Sequence, residues 1–350
     1  MILFAGKLNP KGSLIELPND LKEIVSSWRE TKSISIQTSG STGEPKTIVL
    51  PKNVVQWSAH QSKKALKLTD DEKILLCIPF SKIGGRMLLV RSMIFKWDLQ
   101  IQEASANPLL DIPSNHSFTF VSLVPYQLTT IFADKESTEK LKRFKTILIG
   151  GAGLSRVLEN ELQSFLKSCK TNVFHSYGMT ETASHVALRN VHTMKPNTFR
   201  LLDGVKVKLS KSGCMRFDFV EVDWVVKTKD VGRIDDRMIE FLSRKDEVVN
   251  SGGVKLHIHD IRLAIDKILE ENGLLIRFFL WKQSDDALGE KLVLVGLSGN
   301  QNSEAEEVVR QSLPKYDVPK KFYWTDYFDR KESGKIDRQK TLDQLIEVGR

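Results

Sequence analysis

A segment near the N-terminus combines the groups that hold a polyphosphate. Residues 38–46 read TSGSTGEPK and supply hydroxyls, small residues with accessible backbone N–H groups and one lysine, Lys46. Such groups can wrap closely around phosphate oxygens, although a flexible surface loop has the same composition. A P-loop is excluded, because that motif has glycine directly before its lysine, where this chain has Pro45, and because residues 47–50 predict a strand rather than a helix.

Two further segments carry groups suited to a nucleotide. Residues 150–153, GGAG, follow the apolar run TILI, and glycines there let a flat ring lie against the backbone, as they would also permit a structural turn. Residues 177–182, YGMTET, combine an aromatic ring, a hydroxyl and a carboxylate. These groups can stack on a base, bond a phosphate oxygen and bind Mg²⁺. An ordinary loop fits the second segment equally well.

Two charged residues lie in segments that predict turns. Asp230 occurs in TKDVGRID, and an ionised carboxylate can accept two hydrogen bonds from a ribose diol. Lys335 follows Gly334 in ESGKIDR. Each residue is also explained as a solvated side chain of a turn, so neither predicts a site by itself.

Composition limits the class of protein. With 350 residues, of which 41% are hydrophobic, the chain can bury a large core and divide into two units. The net charge of +8 suits phosphate-bearing ligands, but the basic residues are scattered, and nucleic-acid binding is not expected. The three cysteines form no CxxC pair, which favours a reducing cytoplasm over disulfides or structural zinc. We expect neither a signal peptide nor a transmembrane segment.

The apolar pattern predicts the elements that position these residues. Short apolar runs at residues 73–78, 118–123 and 146–149 alternate with segments of helical spacing, which indicates an α/β sheet. One helix is predicted to start at Ser155. Residues 205–242 alternate in the manner of a small β-rich region.

The pattern changes near Ser243. Beyond it the spacing predicts a helix around residues 258–269, apolar strands at 274–281 and 292–297, and a helix near 304–313. We therefore predict a large N-terminal α/β domain, residues 1–243, and a smaller α+β C-terminal domain, residues 244–350.

Taken in order from Thr38 to Arg338, these motifs resemble the adenylate-forming superfamily, which contains acyl-CoA synthetases, firefly luciferase and the adenylation domains of peptide synthetases. The resemblance implies an enzyme that uses ATP and Mg²⁺ to convert a carboxylic acid into an acyl-adenylate. The acyl group then passes to a thiol, that of coenzyme A or of a carrier protein. The smaller C-terminal domain is expected to be mobile.

The resemblance also implies roles for individual residues. Thr180 would contact the α-phosphate, Glu181 would bind Mg²⁺, Lys335 would be the catalytic lysine, and Asp246 would be the hinge. The implied ATP site consists of Thr38, Ser39, Gly40, Ser41, Thr42, Gly43, Lys46, Gly151, Ala152, Gly153, Tyr177, Asp230 and Arg244. The implied coenzyme A tunnel is lined by Ser251, Gly252 and Gly253.

Two features depart from the family pattern. Only 37 residues precede Thr38, so an N-terminal subdomain is expected to be reduced or missing. In residues 79–85, PFSKIGG, Lys82 stands where the family usually has histidine. Lys82 and His175, which precedes Tyr177 by two positions, are therefore candidates for substrate contact.

Among the branches of the family, residues 83–92, 106–109 and 121–128 most resemble the o-succinylbenzoate-CoA ligases of menaquinone biosynthesis. This resemblance implies an aromatic dicarboxylate as the acid, and Arg91 matches the basic position used for its second carboxylate. An arginine among apolar residues is costly unless it is paired. The alternatives for Arg91 are a guanidinium that reaches the surface or one that pairs with a protein carboxylate.

Three other functions stay open. Another aryl- or acyl-CoA ligase is the nearest alternative, and a carrier-protein adenylation enzyme comes next. A nucleotide-binding module without catalysis is the alternative from a different class, and Glu181, Asp230, Arg244 and Lys335 argue against it. The oligomeric state is not predicted.

Overall fold

The computed structural model describes residues 2–5, 19–39, 45–245, 247–331 and 335–348. Helices and strands alternate through the first half of the chain, as the spacing of apolar residues predicts. In chain order these elements are β1 (Ile2–Ala5), α1 (Asn19–Ser27), β2 (Ser33–Ser39), β3 (Pro45–Pro51), α2 (Lys52–Leu66), β4 (Lys73–Leu76), α3 (Ile83–Phe95), β5 (Asp98–Gln102), β6 (Phe120–Leu123), α4 (Pro125–Phe132), α5 (Lys135–Leu141), β7 (Thr146–Ile149), α6 (Arg156–Leu166) and β8 (Asn172–Met179).

The second half contains more strands than helices. A short 3₁₀ helix, Thr180–Thr182, connects the two halves. The following elements are β9 (Ser184–Asn190), β10 (Thr198–Leu201), β11 (Val205–Leu209), β12 (Cys214–Phe219), β13 (Trp224–Asp235), β14 (Met238–Arg244), β15 (Val248–Ser251), β16 (Val254–His257), α7 (Ile258–Glu271), β17 (Phe278–Asp285), β18 (Gly289–Leu297), α8 (Asn302–Ser312), β19 (Lys321–Thr325) and α9 (Arg338–Val348). Among the helices that the structure describes, none has the length and apolarity needed to cross a membrane.

Six neighbouring strands of the large sheet are parallel. Their order across the sheet is β1, β5, β4, β6, β7 and β8. Apolar clusters cover both faces, since Ile74 and Leu76 of β4 belong to one cluster and Leu75 to the other. Burial on both faces explains why these strands are continuous apolar runs. The α/β fold class predicted from the sequence is confirmed.

The sheet changes character after β8. Strands β9, β10, β14, β13, β12 and β11 continue it in that order, and every pairing from β8 onward is antiparallel. Strands β11 to β14 are the β-rich region predicted for residues 205–242. The parallel part of the sheet therefore ends at β8, and the antiparallel part begins at β9.

The C-terminal part forms a second sheet. Its strands run in the order β16, β15, β18 and β17, and β19 pairs in parallel with β18. Residues of α7 and α8 join the apolar cluster on one face, and Leu342 of α9 packs on the other. No ladder between described strands joins the two sheets. The division into domains at residue 243 stays a prediction.

Helix α6 begins where the sequence predicts. The backbone N–H of Leu158 donates to the Ser155 hydroxyl at 3.2 Å, which satisfies one of the free N–H groups of the first turn. Leu158, Leu162 and Phe165 are buried against the sheet. The cap therefore fixes the end of the glycine-rich segment at residues 150–153.

Candidate active site

Three of the predicted site segments follow the carboxyl ends of parallel strands. Residues 79–82 come after β4, residues 150–153 after β7, and Thr180 and Glu181 after β8. Parallel strands present these ends at one edge of the sheet. The fold therefore brings together segments that are up to a hundred positions apart in the chain.

The segment predicted to hold phosphates lies between paired strands. Thr38 of β2 is opposite Lys46 of β3, and the Thr38 hydroxyl donates to the Lys46 carbonyl at 3.1 Å. Ser39 is the last residue of β2. Four predicted phosphate ligands, Gly40, Ser41, Thr42 and Gly43, lie outside the described residues. The strand predicted at residues 47–50 is confirmed as part of β3, and the phosphate-binding role stays a prediction.

His175 forms a hydrogen bond with the glycine-rich segment that follows β7. Gly151 has a φ of +88°, a conformation that favours glycine. The carbonyl of the next residue, Ala152, accepts a hydrogen bond from His175 Nε2 at 3.1 Å. Burial lowers the pKa of His175 to about 4, so the ring is neutral at physiological pH. His175 thus supports the segment 151–153, and its contact with substrate stays a prediction.

A buried ion pair lies beside this histidine. Both terminal nitrogens of the Arg189 guanidinium donate to the Glu159 carboxylate, each at 2.5 Å. Arg189 is on β9, directly opposite His175 on β8, and Glu159 is in the first turn of α6. Sequence reasoning missed this pair. The available signal was an arginine inside the apolar strand segment of residues 184–190.

We expect Arg189→Met to destabilise the protein by about 3–5 kcal/mol, because it leaves the Glu159 carboxylate buried without a partner. The double variant Arg189→Met, Glu159→Met should recover a large part of this loss, since no buried charge remains. Chemical denaturation of the parent protein and the two variants measures both values. Equal stability of Arg189→Met and the parent protein would contradict the assignment.

Tyr177, Asp230 and Arg244 form a connected group. The Tyr177 hydroxyl donates to Asp230 Oδ2 at 2.6 Å, and Arg244 Nη1 donates to Asp230 Oδ1 at 3.0 Å. Burial and the Asp230 carboxylate raise the pKa of the Tyr177 phenol, which therefore remains a donor. The turn predicted around Asp230 is wrong. Asp230 lies within β13, opposite Arg244 of β14, because pairing between these strands extends through it.

The Tyr177 ring occupies an aromatic environment. The ring centroids of three phenylalanines, Phe199, Phe217 and Phe241, lie 5.6 to 6.0 Å from its own. These contacts, together with the hydroxyl's bond to Asp230, fix the orientation of the ring. A preset ring of this kind is suited to stacking on a base, as predicted for adenine.

Lys335 approaches this group from the C-terminal part of the chain. It lies directly before Ile336, which forms a short bridge with Arg330, and its carbonyl accepts from the Lys331 N–H at 2.9 Å. Lys335 as a whole residue is exposed. The surrounding protein still desolvates its ammonium group, which lowers the pKa of Lys335, and the Arg244 guanidinium lowers this pKa further. Asp230 acts in the opposite direction. The lysine is therefore close enough to respond to both members of the ion pair.

Contacts between residues 126–161 and residues 270–330 hold the C-terminal part against the large sheet's helices. Arg156 Nη2 donates to both carboxylate oxygens of Glu270 at 2.6 Å, and Arg277 lies 3.8 Å from Glu161. The Arg330 guanidinium lies 3.9 Å from the centroid of the Tyr126 ring. These are charged, partly exposed contacts, which are individually weak. They are compatible with repeated opening of this interface.

Thr180 and Glu181 lie in the 3₁₀ helix after β8. The Trp224 indole N–H donates to the Glu181 carbonyl at 2.9 Å and fixes this turn. No hydrogen bond or ion pair involves the Glu181 carboxylate among the described residues. That part of the chain also contains no cluster of three metal-binding side chains. A Mg²⁺ ion held here would take one ligand from Glu181 and the others from phosphate oxygens and water, which suits this ion.

Arg91 is buried in helix α3. Its side chain is only 2% exposed, and Nε and Nη2 have no hydrogen-bond partner among the residues that the structure describes. Desolvation lowers the pKa of the guanidinium to about 10, so it remains charged. A surface-reaching guanidinium and a pair with a described carboxylate are therefore both excluded. A buried cation without a counterion is costly unless a ligand supplies the anion.

Lys82 precedes the same helix. It is the N-cap residue of α3, with extended backbone angles, and its carbonyl accepts from the Arg86 N–H at 2.9 Å. Its side chain is half-buried. The position follows the carboxyl end of β4, and the substrate contact of Lys82 stays a prediction.

The predicted coenzyme A segment is a hairpin turn. Ser251 and Val254 pair across it, and Gly252 and Gly253 have φ values of +58° and +85°. A two-residue hairpin loop in which both residues have positive φ angles favours glycine at both positions. The geometry therefore explains both glycines, and their role in binding coenzyme A stays a prediction. The predicted hinge, Asp246, lies outside the described residues.

Comparison with known proteins places this site in context. Residues 18–213, more than half of the chain, match the family of AMP-binding enzymes. The chain is 26% identical to a 2-succinylbenzoate–CoA ligase of Bacillus anthracis (strain A0248), over 98% of this chain and 77% of that protein.

Solved structures extend this similarity. The chain is 31% identical to an acyl-CoA synthetase (AMP-forming)/AMP-acid ligase II-like protein from Dyadobacter fermentans, with a TM-score of 0.59 and 93% of both chains covered. It also shares its fold with O-succinylbenzoate Coenzyme A synthetase from Bacillus subtilis in complex with ATP and magnesium ion. For that structure the TM-score is 0.69 at 22% identity, over 88% of this chain and 69% of that one.

Proposed function

Because the chain belongs to the family of AMP-binding enzymes, we propose that it is an ATP-dependent acid–CoA ligase that forms an acyl-adenylate and then a CoA thioester. We propose o-succinylbenzoate as the acid. Bacterial relatives named 2-succinylbenzoate–CoA ligase support this choice, since they match nearly the whole chain. Arg91 supports it independently, because it is buried and forms no ion pair with a carboxylate of the described residues.

One observation carries the proposal of catalysis rather than nucleotide binding alone. Lys335 lies within electrostatic reach of Asp230 and Arg244, although about a hundred residues separate it from them. A simple binding module needs a pocket for the nucleotide but no mobile cation beside it. A cation beside the nucleotide site would stabilise the charge that develops in a reaction at the α-phosphate.

In the first half-reaction, a carboxylate oxygen of the acid attacks the α-phosphorus, and the bond to pyrophosphate breaks. Negative charge spreads over the phosphoryl oxygens, and the Lys335 ammonium stabilises it electrostatically without transferring a proton. Thr180 donates to an α-phosphate oxygen, and Asp230 accepts from the ribose hydroxyls. Glu181 would hold Mg²⁺, which when bound would neutralise part of the phosphate charge.

In the second half-reaction, the coenzyme A thiolate attacks the acyl carbon, and AMP leaves. The thiolate needs access to a region that Lys335 occupies during adenylation, so the C-terminal part has to move between the two steps. The Arg156–Glu270 pair and the Arg330–Tyr126 contact would separate in that motion. Asp246 is the proposed hinge, and the Ser251–Gly253 turn the proposed coenzyme A contact.

Release of pyrophosphate from ATP over a panel of carboxylic acids, with and without coenzyme A, tests the function. We expect o-succinylbenzoate to drive release and a thioester to form only when coenzyme A is present. Release with another aryl or acyl acid would assign a different acid–CoA ligase. Adenylate formation without any thioester on free coenzyme A would indicate a carrier-protein acceptor, and ATP binding without release would contradict catalysis.

The ribose contact gives a separate prediction. Asp230→Asn should weaken ATP binding by about 10- to 150-fold, because hydrogen bonds to a charged group each contribute about 1.5–3 kcal/mol. Isothermal titration with ATP measures the change. Asp235→Asn, an exposed residue on the same strand, is the matched control and should bind ATP as the parent does. Unchanged ATP affinity in Asp230→Asn would remove Asp230 from the nucleotide site.

A further inference from the structure

A chain of buried hydroxyls links helix α2 to His185. The Ser58 hydroxyl donates to the Ala183 carbonyl at 2.7 Å, and the Ser62 hydroxyl donates to the Ser58 carbonyl at 2.7 Å. Ser62 Oγ also lies 3.0 Å from His185 Nε2. Because the single hydrogen of Ser62 is directed at Ser58, His185 Nε2 has to be the donor of that last bond. The hydrogen of the imidazole is therefore on Nε2.

The same chain holds a strained piece of backbone. Ala183 and Ser184 have φ values of +51° and +92°, which are uncommon for residues other than glycine. The Ser58 hydroxyl fixes the Ala183 carbonyl, and the Thr182 hydroxyl donates to the Ser184 carbonyl at 2.6 Å. Strain of this kind persists only where the surroundings hold it, and it concentrates at functional sites. The turn that carries Glu181 thus also sets the position of His185.

His185 and Arg91 are neighbours in the interior. Helix α3, which carries Arg91, packs against β9, which carries His185, and the two side chains are 2% and 3% exposed. Burial and the Arg91 charge keep the pKa of His185 well below its usual value. The His185 ring, which is close enough to the Arg91 charge to be affected by it, is therefore uncharged. A carboxylate at this place would pair with Arg91 and satisfy it internally.

We propose that His185, held by the Ser62–Ser58 chain, is a positioning residue for acid specificity that leaves Arg91 uncompensated, so that the second carboxylate of the substrate becomes its counterion. This inference rests on the proposed function, because it requires a dicarboxylate substrate. The imidazole is polar but uncharged, so it does not compete with the substrate carboxylate for Arg91. Specificity for a dicarboxylate then depends on the lack of a described protein carboxylate beside Arg91 as much as on the Arg91 charge itself.

The experiment compares two substitutions at His185. Glutamate adds the missing counterion, whereas glutamine is neutral and keeps an N–H donor for Ser62. The quantity measured is the ratio of kcat/KM for o-succinylbenzoate to kcat/KM for an analogue that lacks the second carboxylate. His185→Glu should reduce this ratio by about 30-fold or more, as expected when a buried charge pair with the substrate is lost. His185→Gln should retain most of it.

Two controls separate specificity from damage. His116→Gln replaces another buried histidine, whose ring bonds the Lys140 carbonyl away from the site, and it should leave the ratio unchanged. The KM for ATP should stay close to the parent value in His185→Glu. If His185→Glu does not fold, Ser62→Ala takes its place. Ser62→Ala removes the acceptor of the Nε2–H, which holds His185 in place, and should therefore lower the ratio by about 3- to 10-fold. An unchanged ratio would overturn the proposal.

Arg91→Ala distinguishes the two levels of failure. If Arg91→Ala abolishes the preference for the dicarboxylate and His185→Glu does not, the inference about His185 is wrong and the proposed acid stands. If Arg91→Ala leaves the preference unchanged, the proposed acid site itself is wrong, and the role of His185 falls with it. Loss of the preference in both variants supports the proposal.

Discussion

Lys335→Ala should abolish formation of the acyl-adenylate while leaving thioester formation from supplied acyl-adenylate largely intact. The ammonium is proposed to stabilise charge only at the α-phosphate, during the first half-reaction. Removing one preorganised charge stabiliser of this kind typically lowers kcat by about 100- to 1,000-fold. Exchange of labelled pyrophosphate into ATP measures the first step, and coenzyme A consumption with synthetic acyl-adenylate measures the second.

Lys331→Ala is the matched control for this prediction. Lys331 lies on the same segment, is exposed, and bonds the Lys335 carbonyl through its backbone, which the substitution preserves. It should change neither half-reaction. Equal loss of both half-reactions in Lys335→Ala would show that the substitution damages the fold or that the lysine has another role.

Arg91→Ala should weaken the use of o-succinylbenzoate by a large factor and leave ATP binding nearly unchanged. Truncating one partner of a buried charge pair costs about 2–5 kcal/mol, mostly because the other charge is left unpaired, which corresponds to about 30- to 5,000-fold in kcat/KM. The burial of Arg91 and its unpartnered Nε and Nη2 atoms place it in this class.

A substrate comparison separates the contact from general damage. A monocarboxylate analogue lacking the distal charge should be a poor substrate of the parent protein and should lose much less on Arg91→Ala, since it never made the contact. Measuring kcat/KM for both acids on both proteins completes a double-difference cycle. Equal losses for the two acids would mean that Arg91 has a structural role.

The sequence predicted local structure accurately where one physical cause dominates. The run at residues 146–149 is buried on both faces, and its uninterrupted apolar character identified β7. Ser155 has the side chain that caps a helix, and α6 begins directly after it. In each case the determining interaction lies within a few residues.

Asp230 shows where this local reasoning fails. Charged and glycine neighbours predicted a turn, but the residue lies in a long strand because β14 pairs with it and Arg244 completes its ion pair. The partner that decides the conformation is on another strand. Propensity alone carries no information about such a pairing.

The sequence by itself determined which chemical groups this protein carries, their order along the chain, and the strands and helices that present them, because backbone preferences and apolar periodicity act over short distances. Only the tertiary structure decided which charges are compensated. Arg189 forms an ion pair with Glu159, whereas Arg91 lies near the neutral His185 and pairs with no described carboxylate. The physical reason is that the cost of a charge depends on burial and on neighbours distant in the chain, and both exist only once the chain has folded.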